Sequence, residues 1–255
     1  MMRALVDADS LLYKVAFAIE EKVVWNEMEF AAGLEEEQEV DYYTDIGRCY
    51  SSFDQLISNI LFATGCDDSL LIFSGEDNFR LSFPLSYKEN RAPTRKPLGL
   101  YEIRDYAFNN YDCVMAFGME ADDYVVRVKA DNPDAYVVCA IDKDVLYQVE
   151  GTHYNYGRDE EVTVSAFEAI RFAYFQTLTG DTSDGYKGCP SVGPVKAEKI
   201  LKGLKTEYEM WQAVVTAYEA RGLTEEDALW TMRLADMHQF DGNSIKLWEA
   251  PEAPE

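Results

Sequence analysis

Histidine and cysteine are scarce: two histidines and five cysteines in 255 residues. The cysteines (Cys49, Cys66, Cys113, Cys139, Cys189) are scattered and no two form C-x-x-C, so they read as reduced thiols in a cytosol. His153 and His238 have no second base, nucleophile or metal ligand beside them and read as packing. No apolar run approaches the ~20 residues of a membrane span. Residues Met1 to Asp7 lack the apolar stretch of an export signal. The expectation is a cytoplasmic protein with no membrane partner.

Positive charge is also in short supply. There are 23 Lys and Arg against 47 Asp and Glu, a net charge of −24. Such a balance argues against a polyanionic partner, but the distribution argues the other way. Six basic residues (Arg80, Lys88, Arg91, Arg95, Lys96, Arg104) fall between 80 and 104, with only Glu89 and Glu102 as acids. Five lysines (Lys187, Lys196, Lys199, Lys202, Lys205) fall between 187 and 205, against Glu198. Two basic islands on an acidic body are either phosphate-contacting surfaces or solvated helix faces.

Carboxylates gather where short apolar runs end. Cys113 to Phe117 leads into Gly118-Met119-Glu120-Ala121-Asp122-Asp123, and Ala135 to Cys139 leads into Ala140-Ile141-Asp142-Lys143-Asp144. Both runs are apolar throughout, as in buried parallel strands, so their acids reach the edge of a sheet. Arg3 to Val6 is a similar run ending at Asp7, and Ser69 to Phe73 ends at Ser74-Gly75-Glu76-Asp77. Crowded like charges need a cation between them, and an all-oxygen ligand set suits Mg²⁺ or Mn²⁺. A helix N-terminal turn and a solvated loop are the plainer readings of these two clusters.

The rest of the chain frames these ends. Asp9 is expected to cap a helix from Ser10 to about Glu20. Residues 21–45 read as an acidic excursion, a hairpin or loop. A helix is expected from about Ile46 to Thr64, then another from Leu100 to Asn109 and a third from Ala121 to Ala130. The repeated strand–helix order predicts an α/β fold with a mostly parallel sheet and helices on both faces. Prolines 84, 93 and 97 preclude one long helix across the first basic island. Residues 153–164 read as a hairpin. Ser165 starts a helix to about Thr179, followed by a glycine-rich stretch, Gly180 to Pro194, that opens a helix with Lys196 and Lys199 one turn in.

Together these pieces resemble the 5′-nuclease superfamily, which includes flap endonucleases and the 5′-nuclease domain of bacterial DNA polymerase I. The likeness is strongest to the 5′→3′ exonucleases of podovirus-type phages. It rests on Val6-Asp7-Ala8-Asp9, Asn78-Phe79-Arg80, Tyr87 to Arg91, Glu120 to Asp123, Asp142-Lys143-Asp144 and Phe175 to Tyr186, in family order from Val6 to about Lys205. The resemblance implies a PIN-like domain over residues 1–164, with an arch at about 78–98. Residues 165–255 would then hold a helix–three-turn–helix module and a C-terminal packing segment.

Carried over by motif, Asp7, Glu120, Asp122 and Asp123 would form one metal cluster with the Asp142 and Asp144 pair beside it, and Asp181 and Asp184 would complete the second metal position. Lys88 and Arg91 would grip the scissile phosphate. Lys196 would contact the duplex, and the Gly185 to Gly193 loop would hold a phosphate, in relatives through K⁺. Arg80, Arg95, Lys96, Lys187, Gly188, Gly193 and Lys199 complete the expected DNA-binding set. The chain departs from the family at the end of its second strand, where relatives carry Asp and this sequence has Gly75; Glu76 or Asp77 is the expected substitute.

The implied activity is hydrolysis from 5′ ends of duplex DNA with two Mg²⁺ ions (Mn²⁺ able to replace them), in phage DNA replication, degradation or recombination. Flap and RNA-primer cleavage fit the same pattern. The alternatives are a PIN-type ribonuclease, a catalytically weak DNA-binding scaffold, and an acidic ion-binding protein.

Overall fold

The computed structural model describes residues 2–33, 38–85, 87–89, 95–241 and 244–254. Its elements run β1 (Arg3–Asp7), α1 (Asp9–Ile19), β2 (Glu21–Val24), α2 (Glu27–Ala31), β3 (Val40–Tyr43), α3 (Ile46–Thr64) and β4 (Ser69–Ser74). A single 3-10 turn (Phe79–Ser82) precedes α4 (Leu100–Asn110), β5 (Cys113–Ala116), α5 (Ala121–Asp131), β6 (Tyr136–Ala140), α6 (Lys143–Tyr147), β7 (Gly151–Asn155) and β8 (Glu160–Val164). Then come α7 (Ala166–Thr179), β9 (Gly180–Asp181), β10 (Tyr186–Lys187), α8 (Pro194–Ile200), α9 (Glu207–Glu219), α10 (Glu225–Ala235), β11 (Phe240–Asp241) and β12 (Ser244–Ile245).

The central sheet has the order β5-β4-β1-β6-β7-β8, and every pairing is parallel except the terminal β7–β8 hairpin. Alternation of side chains along each strand divides the core in two. Ala4, Val6, Leu71, Phe73, Val137 and Cys139 face one cluster with α1, α3 and α4. Leu5, Leu70, Ile72, Val138 and Ala140 face the other, with α5 and α6. Burial on both faces is why these strands carry unbroken apolar runs rather than alternating ones. In α3 the buried Cys49, Phe53, Ile57 and Ile60 follow helical spacing.

The α/β expectation is met, and residues 21–43 resolve the excursion into an antiparallel β2–β3 pair flanking α2. The chain winds outward from β1 to β4 and β5, then returns to β6 on the other side of β1. Ligands in such sheets bind beyond the carboxyl ends of strands near this reversal, where Asp7 and Asp142 emerge.

A separate apolar cluster joins α7, α8, α9 and α10 around Tyr174, Trp211, Val214 and Tyr218. Capping boxes at Ser165/Glu168, Thr206/Glu209 and Thr224/Asp227 start α7, α9 and α10. The last helix ends at Ala235. Its terminal carbonyls are taken by side chains instead: Leu234 O by Arg80 Nε at 3.1 Å and Ala235 O by Gln148 Nε2 at 2.7 Å. The described part of the expected arch is packed against this helix, since Tyr87 shares a buried cluster with Tyr186, Leu234 and Ala235.

Candidate active site

A cleft of about 1200 Å³ opens at the carboxyl edge of the sheet, and Asp7, Asp9, Glu120, Asp122 and Asp142 line it together with Lys88. Three separate stretches of chain supply these acids. Asp7 ends β1, Asp9 opens α1, Glu120 and Asp122 bracket the start of α5, and Asp142 caps α6, accepting the Asp144 N–H at 2.9 Å.

Crowding raises the proton affinity of the inner acids. Burial, then the charges of Asp9 and Asp142, push the Asp7 carboxyl up to about 7. Burial and the neighbouring Asp7, Glu120 and Asp142 drive Asp122 well above the ordinary range. Burial also raises Asp9. Glu120 runs the opposite way: burial pushes it up, but the Lys88 ammonium, the Tyr87 hydroxyl and Arg80 outweigh that and hold it low. Tyr87 Oη donates to Glu120 Oε2 at 2.5 Å and stands 3.3 Å from Asp184 Oδ2. The Lys88 ammonium is ion-paired to Glu120 and lies 3.7 Å from Asp184 Oδ1. Lys88 adopts a left-handed backbone (φ 56°), and its N–H donates to Asp184 O at 2.6 Å.

The remaining acids form an outer group. Asp181 sits in the two-residue ladder β9–β10, and Asp184 lies in the turn it closes. Lys143 Nζ joins Asp144 (2.9 Å) to Asp181 (3.3 Å). Burial and the Asp142 charge raise Asp144 to about 6. For Asp181, burial is outweighed by hydrogen bonds from Ser183 and by the Lys143 charge, so its carboxyl is held below the ordinary range.

Asp123 and Arg80 depart from expectation. Asp123 is fully buried and turned to Arg80, which is itself 2% exposed. Arg80 Nη1 and Nη2 reach its two oxygens at 2.6 and 2.7 Å, and Asp123 also accepts the Glu120 N–H at 3.2 Å in a capping box. Asp123 is therefore not a cleft ligand, and Arg80 presents no charge to DNA. Arg95 is likewise committed: it is ion-paired to Glu20 and stacked 3.5 Å from the centroid of Tyr42. Gly188 is explained by packing, because a Cβ there would collide with the backbone of Leu178, Thr179 and Gly180.

Asp9 is not a helix cap. Ala8 holds that position, and the Asp9 carboxylate accepts the Ser74 N–H at 3.0 Å, at the end of β4. Gly75 has no room for a side chain, since a Cβ would strike the Ala116 carbonyl on β5. Glu76 and Asp77 are exposed residues that line the same cleft. Lys187, Gly193, Lys196 and Lys199 are all exposed, and Lys196 Nζ donates to Ser191 O at 2.8 Å. Arg91 lies outside the described residues. Sequence reading missed Tyr87 and Lys143, both inside quoted motifs. It also missed Ser74, whose Oγ accepts the Ala121 N–H at 2.9 Å.

By donor chemistry the acids fit a hard divalent cation, being all oxygen and, at Asp7, Asp9, Asp122 and Asp142, mutually repelling. No group of three or more acidic, His or Cys side chains among the described residues is already arranged around a common ion. Lys88 and Lys143 hold acids of the set in ion pairs instead.

The fold is shared with solved nucleases. The D15 protein of phage T5, crystallised with metal ions, aligns at TM-score 0.64 and 14% identity, covering 93% of this chain and 90% of that one. The T5 D15 flap endonuclease in complex with DNA and metal ions also aligns at 0.64 and 14%, covering 93% and 89%. The catalytic core of Rad2 with a DNA substrate aligns at 0.54 and 12%, covering 98% and 83%. The chain thus has the α/β fold of these nucleases.

Sequence similarity narrows it. The exonuclease of Escherichia phage T7 is 24% identical over 220 residues, spanning 70% of this chain and 73% of that protein. The exodeoxyribonuclease of Enterobacteria phage T3 is 28% identical over 220 residues, spanning 70% and 72%. No family model matches. In sequence the chain is similar to these phage exonucleases, and in fold to the T5 and Rad2 nucleases.

Proposed function

We propose that this chain is a divalent-metal-dependent 5′→3′ exodeoxyribonuclease that shortens duplex DNA from 5′ ends, with 5′ flaps as a related substrate. The observation that carries the reading is the convergence of Asp7, Glu120, Asp122 and Asp142 from distant segments on one cleft beside Lys88. Likeness to phage exonucleases supports the same reading.

Asp7, Glu120, Asp122 and Asp142 would hold one ion, with Asp144, Asp181 and Asp184 serving a second; Mg²⁺ is the proposed ion, and Mn²⁺ a substitute. When bound, such ions supply an ionised water and neutralise the leaving oxygen. Lys88 sets positive charge against the phosphoryl oxygens once it leaves Glu120, and Arg91 is assigned the same task. Tyr87, kept neutral by burial, donates to Glu120 and fixes its carboxylate. Lys187, Lys196 and Lys199 offer cations to the duplex backbone, and the loop 185–193 is assigned a backbone phosphate through K⁺.

A 5′-labelled duplex incubated with Mg²⁺, with and without chelator, tests this. Mononucleotides released from the 5′ end only when metal is present are the expected outcome. Binding without cleavage, or cleavage of RNA alone, would overturn it.

A further inference from the structure

The acid cleft has a second, cationic compartment. Its wall includes Tyr13, Lys96, Tyr101, Arg104 and Phe117 as well as the carboxylates. Lys96 Nζ donates to Tyr101 Oη at 2.6 Å and stands 5.0 Å from the centroid of that ring. The Arg104 guanidinium stands 5.2 Å from the same centroid. One aromatic ring thus carries two cations.

Neither cation is ion-paired to a carboxylate among the described residues, whereas Arg3, Arg80, Lys88, Arg95, Lys143 and Arg171 all are. In a chain with about twice as many acids as bases, two cations beside one ring with no carboxylate partner leave local positive charge available to an anion from outside. Arg104 does act through space on Asp9, which ties the pair to the acid side of the cleft. Aromatic faces border the compartment: Tyr13 stacks on Phe17 at 6.2 Å, and Phe117 is 77% exposed. Two cations, a phenol and open aromatic faces are the complement of a nucleotide, its phosphate on the charges and its base on a ring.

We propose that Lys96, Arg104 and Tyr101 form a subsite for the 5′-terminal phosphate of the strand being shortened, so that the enzyme prefers 5′-phosphorylated to 5′-hydroxyl ends. The inference rests on the nuclease reading above and adds a substrate preference to it. A terminal phosphate monoester carries a charge of about −1.5 to −2 at neutral pH, which two cations neutralise. A 5′-hydroxyl offers them no such charge. Tyr101 accepts from the Lys96 ammonium, and both cations lie beside its ring.

The test uses two duplexes identical except for a 5′-phosphate or a 5′-hydroxyl on the strand degraded, with kcat and KM measured in Mg²⁺. Wild type is expected to favour the phosphorylated end by about 10-fold or more in kcat/KM, mainly through KM, as charge-assisted contacts predict. Lys96→Gln with Arg104→Gln is expected to bring that ratio to within about 2-fold by weakening use of the phosphorylated end. A wild-type ratio near one, or equal losses on both ends in the double variant, would overturn the subsite. If wild type cuts neither duplex, the nuclease reading fails by itself. Equilibrium binding of the two duplexes in chelator then reads the subsite alone, and equal affinities would refute it.

Discussion

Arg80 and Asp123 form a two-pronged ion pair sealed from solvent, and the same guanidinium donates to Leu234 O at 3.1 Å and Asp236 O at 2.9 Å. One side chain therefore joins the segment after β4, the first turn of α5 and the end of α10. Asp123 also accepts the Glu120 N–H, so the pair sets the turn from which Glu120 and Asp122 project.

Removing one partner leaves the other charge buried and alone. Arg80→Ala and Asp123→Ala are each expected to lose about 3–5 kcal/mol in urea unfolding. The double variant Arg80→Met/Asp123→Leu should lose much less than the sum of the two. Additive losses would show that the pair is not a unit.

Asp122→Asn and Asp142→Asn remove charge from a self-repelling set. Both are expected to abolish metal-dependent cleavage, while the ion-free protein melts no lower than wild type at pH 8. Full activity of either variant on a 5′-ended duplex would refute the assignment of these acids.

The raised carboxyls fix the sign of a pH effect. Burial and neighbouring carboxylates push Asp7 up to about 7 and Asp144 up to about 6 in the folded chain, from an ordinary 3.8. Between about pH 4 and 7 the folded state binds more protons than the unfolded state, so these groups make stability fall as pH rises through that window. In chelator, their contribution should be larger at pH 5.5 than at pH 8. Millimolar Mg²⁺ should raise Tm at pH 8 more than at pH 5.5, because ion and proton compete for the same oxygens. Scanning calorimetry at the two pH values checks both statements, and equal Mg²⁺ shifts would count against the site.

Lys88→Ala is expected to lower kcat by about 10²–10³-fold, the scale of a lost transition-state contact. Affinity for duplex should change much less. Single-turnover kinetics beside equilibrium binding separates the two, and matched losses would make Lys88 a docking residue.

Gly188→Ala forces a Cβ into the backbone of Leu178, Thr179 and Gly180. A loss of about 1–3 kcal/mol is expected. Gly193→Ala meets nothing within 4 Å and should cost about 1 kcal/mol or less, the scale of a helix-cap change. Urea midpoints of the two variants give the comparison.

Strand-end acids were legible in the sequence because the pattern is local. An apolar run buried on both faces must be a strand, and whatever follows it lies at the sheet edge. Asp7, Glu120, Asp122 and Asp142 all lie at such run ends. The Glu120-x-x-Asp123 spacing of a capping box was also present, and it could have marked Asp123 as a helix-start residue rather than a ligand.

What only the tertiary structure decided is which way each side chain turns and what it meets. Arg80 belongs to a basic island by sequence, yet its partners lie 43 and 154 residues away. Asp9 resembles a cap, but its hydrogen-bond partner, the Ser74 N–H, lies 65 residues along the chain. Gly75 lacks an acid because β5 passes too close for any Cβ. Sequence sets the chemistry available at each strand end. Contacts between segments far apart in the chain decide whether a charge is spent inside the protein or left facing the cleft, because burial and partner, not residue type, determine its energy.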